Sequence, residues 1–123
     1  MSDIKALGLW GLTLAAVTLV ILYLSLIPVP PSEGLGWDKL NHAIAMAVVT
    51  VIAFRTLRPV SLRAVLLAGL YALLLGALIE LLQGTLTTTR SAEWGDLLAD
   101  AAGVVLAMPG LYLWKRKTIE RQF

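Results

Sequence analysis

From Val65 to Leu82 the chain carries a single charged side chain, Glu80, in an otherwise apolar run. A helix of about 20 apolar residues crosses the roughly 30 Å hydrocarbon core of a bilayer. In lipid, only a helix or a closed barrel satisfies every backbone polar group. A carboxylate at that depth costs about 2.5–3.5 kcal/mol on insertion scales, so such groups face a bundle interior and mark function by default. Gln83 follows one turn later on the same face. Glu80 and Gln83 therefore demand partners from elsewhere in the chain.

Composition agrees with a membrane setting. The chain is 59% hydrophobic and 15% charged, with mean hydropathy +0.83, against about 45–50% and 25% in soluble domains. It contains no cysteine, which excludes a disulfide framework and a thiolate metal site. At 123 residues it reads as one multi-pass domain over 1–123.

Four helices are expected, over about 6–27, 39–57, 61–83 and 96–114. The first is too long for a signal-peptide core, and Ile27-Pro28-Val29-Pro30-Pro31 is no cleavage site, so it reads as an uncleaved span. Its Gly8, Gly11, Ala15, Thr18 and Ser25 make a stripe of small residues suited to close helix packing. Trp37 suits an interface, and Asp38 opens the second helix as an N-cap, with His42, Ala45 and Val49 on its face. In the third helix Gly69, Ala72, Gly76, Glu80 and Gln83 share one stripe. A polar loop over 84–95 follows, with Arg90, Ser91, Glu93 and Trp94. The fourth helix carries Asp96, Asp100, Gly103, Ala107 and Gly110 on one face, a bend at Pro109, and a short polar tail after it.

Eight of the ten Lys and Arg residues fall at one end of these spans: Lys5, Arg55, Arg58, Arg63, Lys115, Arg116, Lys117 and Arg121. Lys39 and Arg90 fall at the other. An excess of Lys and Arg marks the cytoplasmic side. The fold class is thus an all-α, four-helix transmembrane bundle with N and C termini cytoplasmic, and the compartment a cell membrane. Anionic lipid accounts for the basic rim without nucleic acid.

This topology sends Asp38, Lys39, His42, Glu80, Gln83, Arg90, Asp96 and Asp100 to the outer end of the bundle. Each has a plain alternative. Asp38 and Asp96 can cap helices, Lys39 can snorkel, His42 can be a hydrogen-bonded packing residue, and Gln83 can make one interhelical bond. Together they form either a network that locks the helices or a ligand site. The acids outnumber the bases, which favours a shared proton, a bound cation or a positively charged ligand. No His-x-x-x-His or Glu-x-x-His spacing marks a metal, and none is assigned; no cofactor is implied. Ser91 with His42 is a conceivable nucleophile pair, without a nucleophile-elbow pattern around it.

The segments Asp38-Lys39-Leu40-Asn41-His42-Ala43, Ile79-Glu80-Leu81-Leu82-Gln83, Thr89-Arg90-Ser91-Ala92 and Asp96-Leu97-Leu98-Ala99-Asp100-Ala101-Ala102-Gly103 resemble VanZ-like membrane proteins. Ser25-Leu26-Ile27-Pro28 fits as well, so the resemblance covers about 25–110. It implies that Asp38, Lys39, His42, Glu80, Gln83, Arg90 and Asp96 are signature positions. The chain departs from the family at Asp100, where Asn is usual. The family takes its name from a protein associated with resistance to the antibiotic teicoplanin, and it implies a general envelope or membrane-lipid role.

Three functions are open at this point. The outer cluster binds an envelope component, such as a lipid head group or a lipid-linked wall precursor. It serves a small intramembrane hydrolase or metal-assisted enzyme. Or the chain is a structural subunit of a larger membrane assembly. The orientation has a direct check: a reporter fused at Phe123 is expected to be active only inside the cell, and one in the 85–89 loop only outside. External activity at Phe123 reverses the topology.

Overall fold

Each long apolar run closes its own backbone hydrogen bonds as a helix. The computed structural model describes residues 3–27, 35–57, 60–86 and 94–120, with the side chains of 3, 35–38 and 118–120 outside the description. It is all-helical: α1 (Asp3–Leu26), α2 (Leu35–Thr56), α3 (Leu62–Leu86) and α4 (Trp94–Glu120). Three helices are long and apolar enough to cross a membrane, over Ile4–Leu26, Leu62–Leu86 and Trp94–Lys117. The 22 residues of α2 include Lys39, His42 and Arg55.

Cross-helix contacts fix an up-down-up-down course. At one end, Gln83 of α3 donates to the Ser25 carbonyl of α1 at 2.9 Å, and Lys39 and His42 of α2 meet Asp96 and Asp100 of α4. At the opposite end, the Arg55 guanidinium of α2 stacks on Trp10 of α1 at 4.7 Å and Trp114 of α4 at 4.6 Å. Between them lie two apolar layers. Met46, Val49, Ala72, Leu75, Ile79 and Val104 fill the middle, and Ala53, Phe54, Ala64, Val65, Ala68 and Leu111 fill the end near Arg55. Phe54 meets Trp114 edge-to-face at 5.4 Å between ring centroids, a favoured aromatic geometry.

The outward faces stay apolar. Leu66, Leu70, Leu74, Leu78 and Leu81 form an exposed stripe on α3, and Leu98, Val105, Leu106 and Leu113 stand exposed on α4. In water such patches would be a liability; in lipid they are the outer surface.

Several boundaries shift from expectation. Residues 35–38 are already helical, so Asp38 sits in the first turn of α2 and is not its N-cap. Asp96 likewise lies in the first turn of a helix that opens at Trp94. Carboxylates there still favour the positive end of the helix dipole. Ser61 does cap α3, its Oγ accepting from the Ala64 amide at 3.2 Å. α3 runs on through Gly84 and Thr85 to Leu86, the Thr85 hydroxyl donating back to the Leu81 carbonyl at 2.7 Å. α4 extends past Trp114 to Glu120, so the basic stretch 115–117 is helical, with Lys115 over the Tyr112 ring at 4.6 Å. Pro109 lies inside α4 without ending it.

The small-residue stripes have different fates. On α3 all of Gly69, Ala72, Gly76, Glu80 and Gln83 are buried. On α4 Asp96, Asp100 and Gly103 are buried, whereas Gly110 is exposed. On α1 the expected packing face divides. Thr18 bonds the Tyr71 hydroxyl at 2.8 Å and Ser25 accepts from Gln83, but at Gly8 and Gly11 a Cβ would meet nothing within 4 Å among the described residues. Leu14, Val17, Ile21 and Leu22 seat α1 on the core, because apolar contact area outweighs small size where no backbone comes close.

The tightest approach is between α2 and α4. A Cβ on Gly103 would run into the backbone of Ala43. Gly103→Ala is expected to force the helices apart at a cost of about 1–3 kcal/mol, the usual range for overpacking. Gly8→Ala should leave stability unchanged or slightly raised. Melting temperatures of both variants in detergent check this pair; equal values would contradict the packing.

Candidate functional site

The site grows from three helix ends that the alternating course brings together. Glu80 stands six residues before the end of α3, Asp100 six residues into α4 and His42 seven into α2. Each is therefore about 9–10.5 Å inside its helix end, at 1.5 Å per residue. Residues four apart on a helix share a face. Asp96 and Asp100 thus point the same way from α4, and Gly76 and Glu80 the same way from α3.

Two cross-helix pairs join α2 to α4. Lys39 reaches over Gly95 to place Nζ 3.4 Å from Asp96 Oδ1. One turn deeper, His42 Nδ1 and Asp100 Oδ1 are 3.1 Å apart. The Lys39 side chain is 40% exposed and that of Asp96 5%, whereas His42 is 12% and Asp100 1% exposed. In the outer pair only Lys39 faces the surroundings; the Asp96 carboxylate, like the inner pair, is enclosed. Glu80 closes the set from α3: one ligand atom from each of His42, Glu80 and Asp100 lies within 4.8 Å of the others.

The remaining oxygens define what this arrangement can do. Asp100 Oδ2 is buried and meets no hydrogen-bond donor among the described residues. It presses toward α3, 2.5 Å from where a Cβ on Gly76 would be, so only glycine at 76 leaves room for the carboxylate. Glu80 Oε1 is buried as well. Buried carboxylate oxygens normally find donors, and desolvated acids that crowd together are costly unless something positive joins them. Among the described side chains of this cluster, Glu80, Asp96 and Asp100 face one ammonium, Lys39, and one imidazole, His42.

Of the eight residues expected from the sequence, Lys39, His42, Glu80, Asp96 and Asp100 converge here, and Gln83 sits beside them, fully buried, tied to α1. The side chain of Asp38 lies outside the described residues, as do Arg90, Ser91 and Glu93 entirely. Sequence reading had not singled out Gly76 as the place where Asp100 fits, nor the Ser25 carbonyl as the acceptor for Gln83. The first signal was available as Gly76 one turn from Glu80; the second, a backbone atom, leaves no trace in residue type.

No family model matches the chain, and no curated protein or solved structure gives a significant match.

Gln83 offers a clean test of how this end is held. Its amide satisfies a carbonyl in the last turn of α1, where intrahelical donors run out. Gln83→Leu is expected to lose about 0.6–1.7 kcal/mol, the range for hydrogen bonds between membrane helices, and to speed proteolysis or hydrogen exchange in the last turns of α1 over those of α4. A uniform change in all helices would contradict the local tie.

Proposed function

We propose that the chain is a VanZ-like protein of the bacterial cytoplasmic membrane, with four spans, both termini in the cytoplasm, and a polar cluster near the outer face that binds an envelope component. That component is a lipid head group or the head of a lipid-linked wall precursor. The observation that carries the reading is the enclosure of Glu80, Asp96 and Asp100, each 4% exposed or less, beside His42 at one end of an apolar bundle. A network serving only to lock helices needs fewer charges, and would not leave Asp100 Oδ2 without a donor among the described residues. The four motifs that resemble VanZ-like proteins span every residue of this cluster, with Asp100 standing where Asn is usual in the family.

A second reading is favoured by the His42–Asp100 pair. An imidazole oriented by a carboxylate, with Glu80 close by, is the arrangement of a general base. It would make the chain a small intramembrane hydrolase acting on the same bound group. Turnover of a retained lipid by the wild-type protein, lost in His42→Gln, separates catalysis from binding alone.

Glu80→Gln tests the site as such. The substitution keeps size and hydrogen-bonding capacity but removes one crowded carboxylate. It is expected to leave the melting temperature unchanged or raised, and to abolish retention of envelope lipids through purification, read by mass spectrometry. Full retention in Glu80→Gln leaves the cluster with a packing role only.

A further inference from the structure

We infer that His42, Glu80 and Asp100 form a binding site for one divalent transition-metal cation of the Mn2+ or Zn2+ class. The inference deepens the reading of this cluster as a ligand site and rests on it: the cation is what allows an acid-rich pocket to accept an oxygen-bearing head group.

The geometry comes first. Two donors about 2.1 Å from one metal, at tetrahedral to octahedral angles, stand about 3.0–3.4 Å apart. His42 Nδ1 and Asp100 Oδ1 are 3.1 Å apart. The widest separation in the set is within 4.8 Å, so binding draws the third donor inward by up to about 0.6 Å for a trans position, or about 1.4 Å for a tetrahedral one.

The second observation is independent of the grouping. Asp100 is almost wholly buried, and its Oδ2 has no hydrogen-bond donor among the described residues. A cation that Asp100 holds through both carboxylate oxygens supplies what Oδ2 lacks. Gly76 matters for the same reason, because any side chain there would occupy the space that Asp100 needs.

Charge and donor type narrow the occupant. With His42 neutral, Glu80 and Asp100 carry two formal negative charges, which a divalent ion balances. One imidazole nitrogen with two carboxylates suits zinc, manganese or ferrous iron; calcium and magnesium prefer oxygen alone. Three protein donors leave at least one position open, as in metal sites that bind substrate. The competing account is a proton shared by the two carboxylates.

The experiment uses the full chain, purified in detergent, stripped with chelator and titrated with Mn2+ or Zn2+ alone by calorimetry, with elemental analysis of the product. One metal per chain is expected, with a rise in melting temperature. Glu80→Gln, Asp100→Asn and His42→Gln should each weaken binding about 100-fold or more, and Arg63→Gln, at the far end of α3, should not. No binding by the wild-type protein, or binding indifferent to Glu80→Gln and Asp100→Asn, overturns the inference and leaves the shared proton. The two readings fail separately. Lipid retention that depends on Glu80 without any metal binding sinks the cation site alone, whereas metal binding without lipid retention sinks the head-group reading alone.

Discussion

The missing side chain at Gly103 is the constraint on which the rest depends. With no Cβ there, α4 lies against the backbone of α2 at Ala43, one residue from His42. That approach brings Asp100, three residues before Gly103, within 3.1 Å of the imidazole. The same helix uses Gly76 to settle on α3, and Gly69 takes Val104 further along. In lipid, apolar surface gains nothing from leaving one apolar medium for another, so contact distance and hydrogen bonding decide how helices associate. Glycines at these three points therefore position the site as well as pack the bundle.

Burial of the acids follows a depth order. Lys39 and Asp96 form the outermost pair, the lysine side chain part-exposed and the carboxylate buried beneath it. His42, Glu80 and Asp100 lie one turn deeper, where every unmatched charge is costly. Below them Thr50, also buried, returns its hydroxyl to the Met46 carbonyl at 2.7 Å and places no demand on other helices. Polarity thus fades within about two turns of the helix ends, and the apolar layer of Met46, Val49, Ile79 and Val104 closes the cluster from beneath.

The sequence made the α3 face legible because small residues and Glu80 repeat at helical spacing in a run where any polar group is conspicuous. It made the convergence at one end legible through the up-and-down order of four apolar runs, whose polar residues fall at alternate ends of the sequence segments. The face of α1 was harder to read: Gly8 and Gly11 have the spacing of a packing motif, yet apolar side chains on the neighbouring face make the contact. Helix starts shifted for a physical reason too, since Asp38 and Asp96 are as favourable inside a first turn as at a cap. The pairing of His42 with Asp100, and its closure by Glu80, could not be read from spacing, because the three come from three helices.

The two ends of the bundle divide the work of charge between them. At the far end Arg55 lies between the rings of Trp10 and Trp114, a planar guanidinium stacked as an ammonium could not be. It pins α1, α2 and α4 with a cation, and Arg63, Lys115, Arg116 and Lys117 follow it in sequence toward the same end. Arg55 is thirteen residues from His42 on the same helix, so about 20 Å away. At that range two unit charges interact by less than about 1 kcal/mol at an effective dielectric constant of 20. The basic end is therefore too distant to neutralise the acids, and their neutralisation must be local: by Lys39 and His42 within the cluster, by a retained proton, or by a cation held between Asp100 and Glu80.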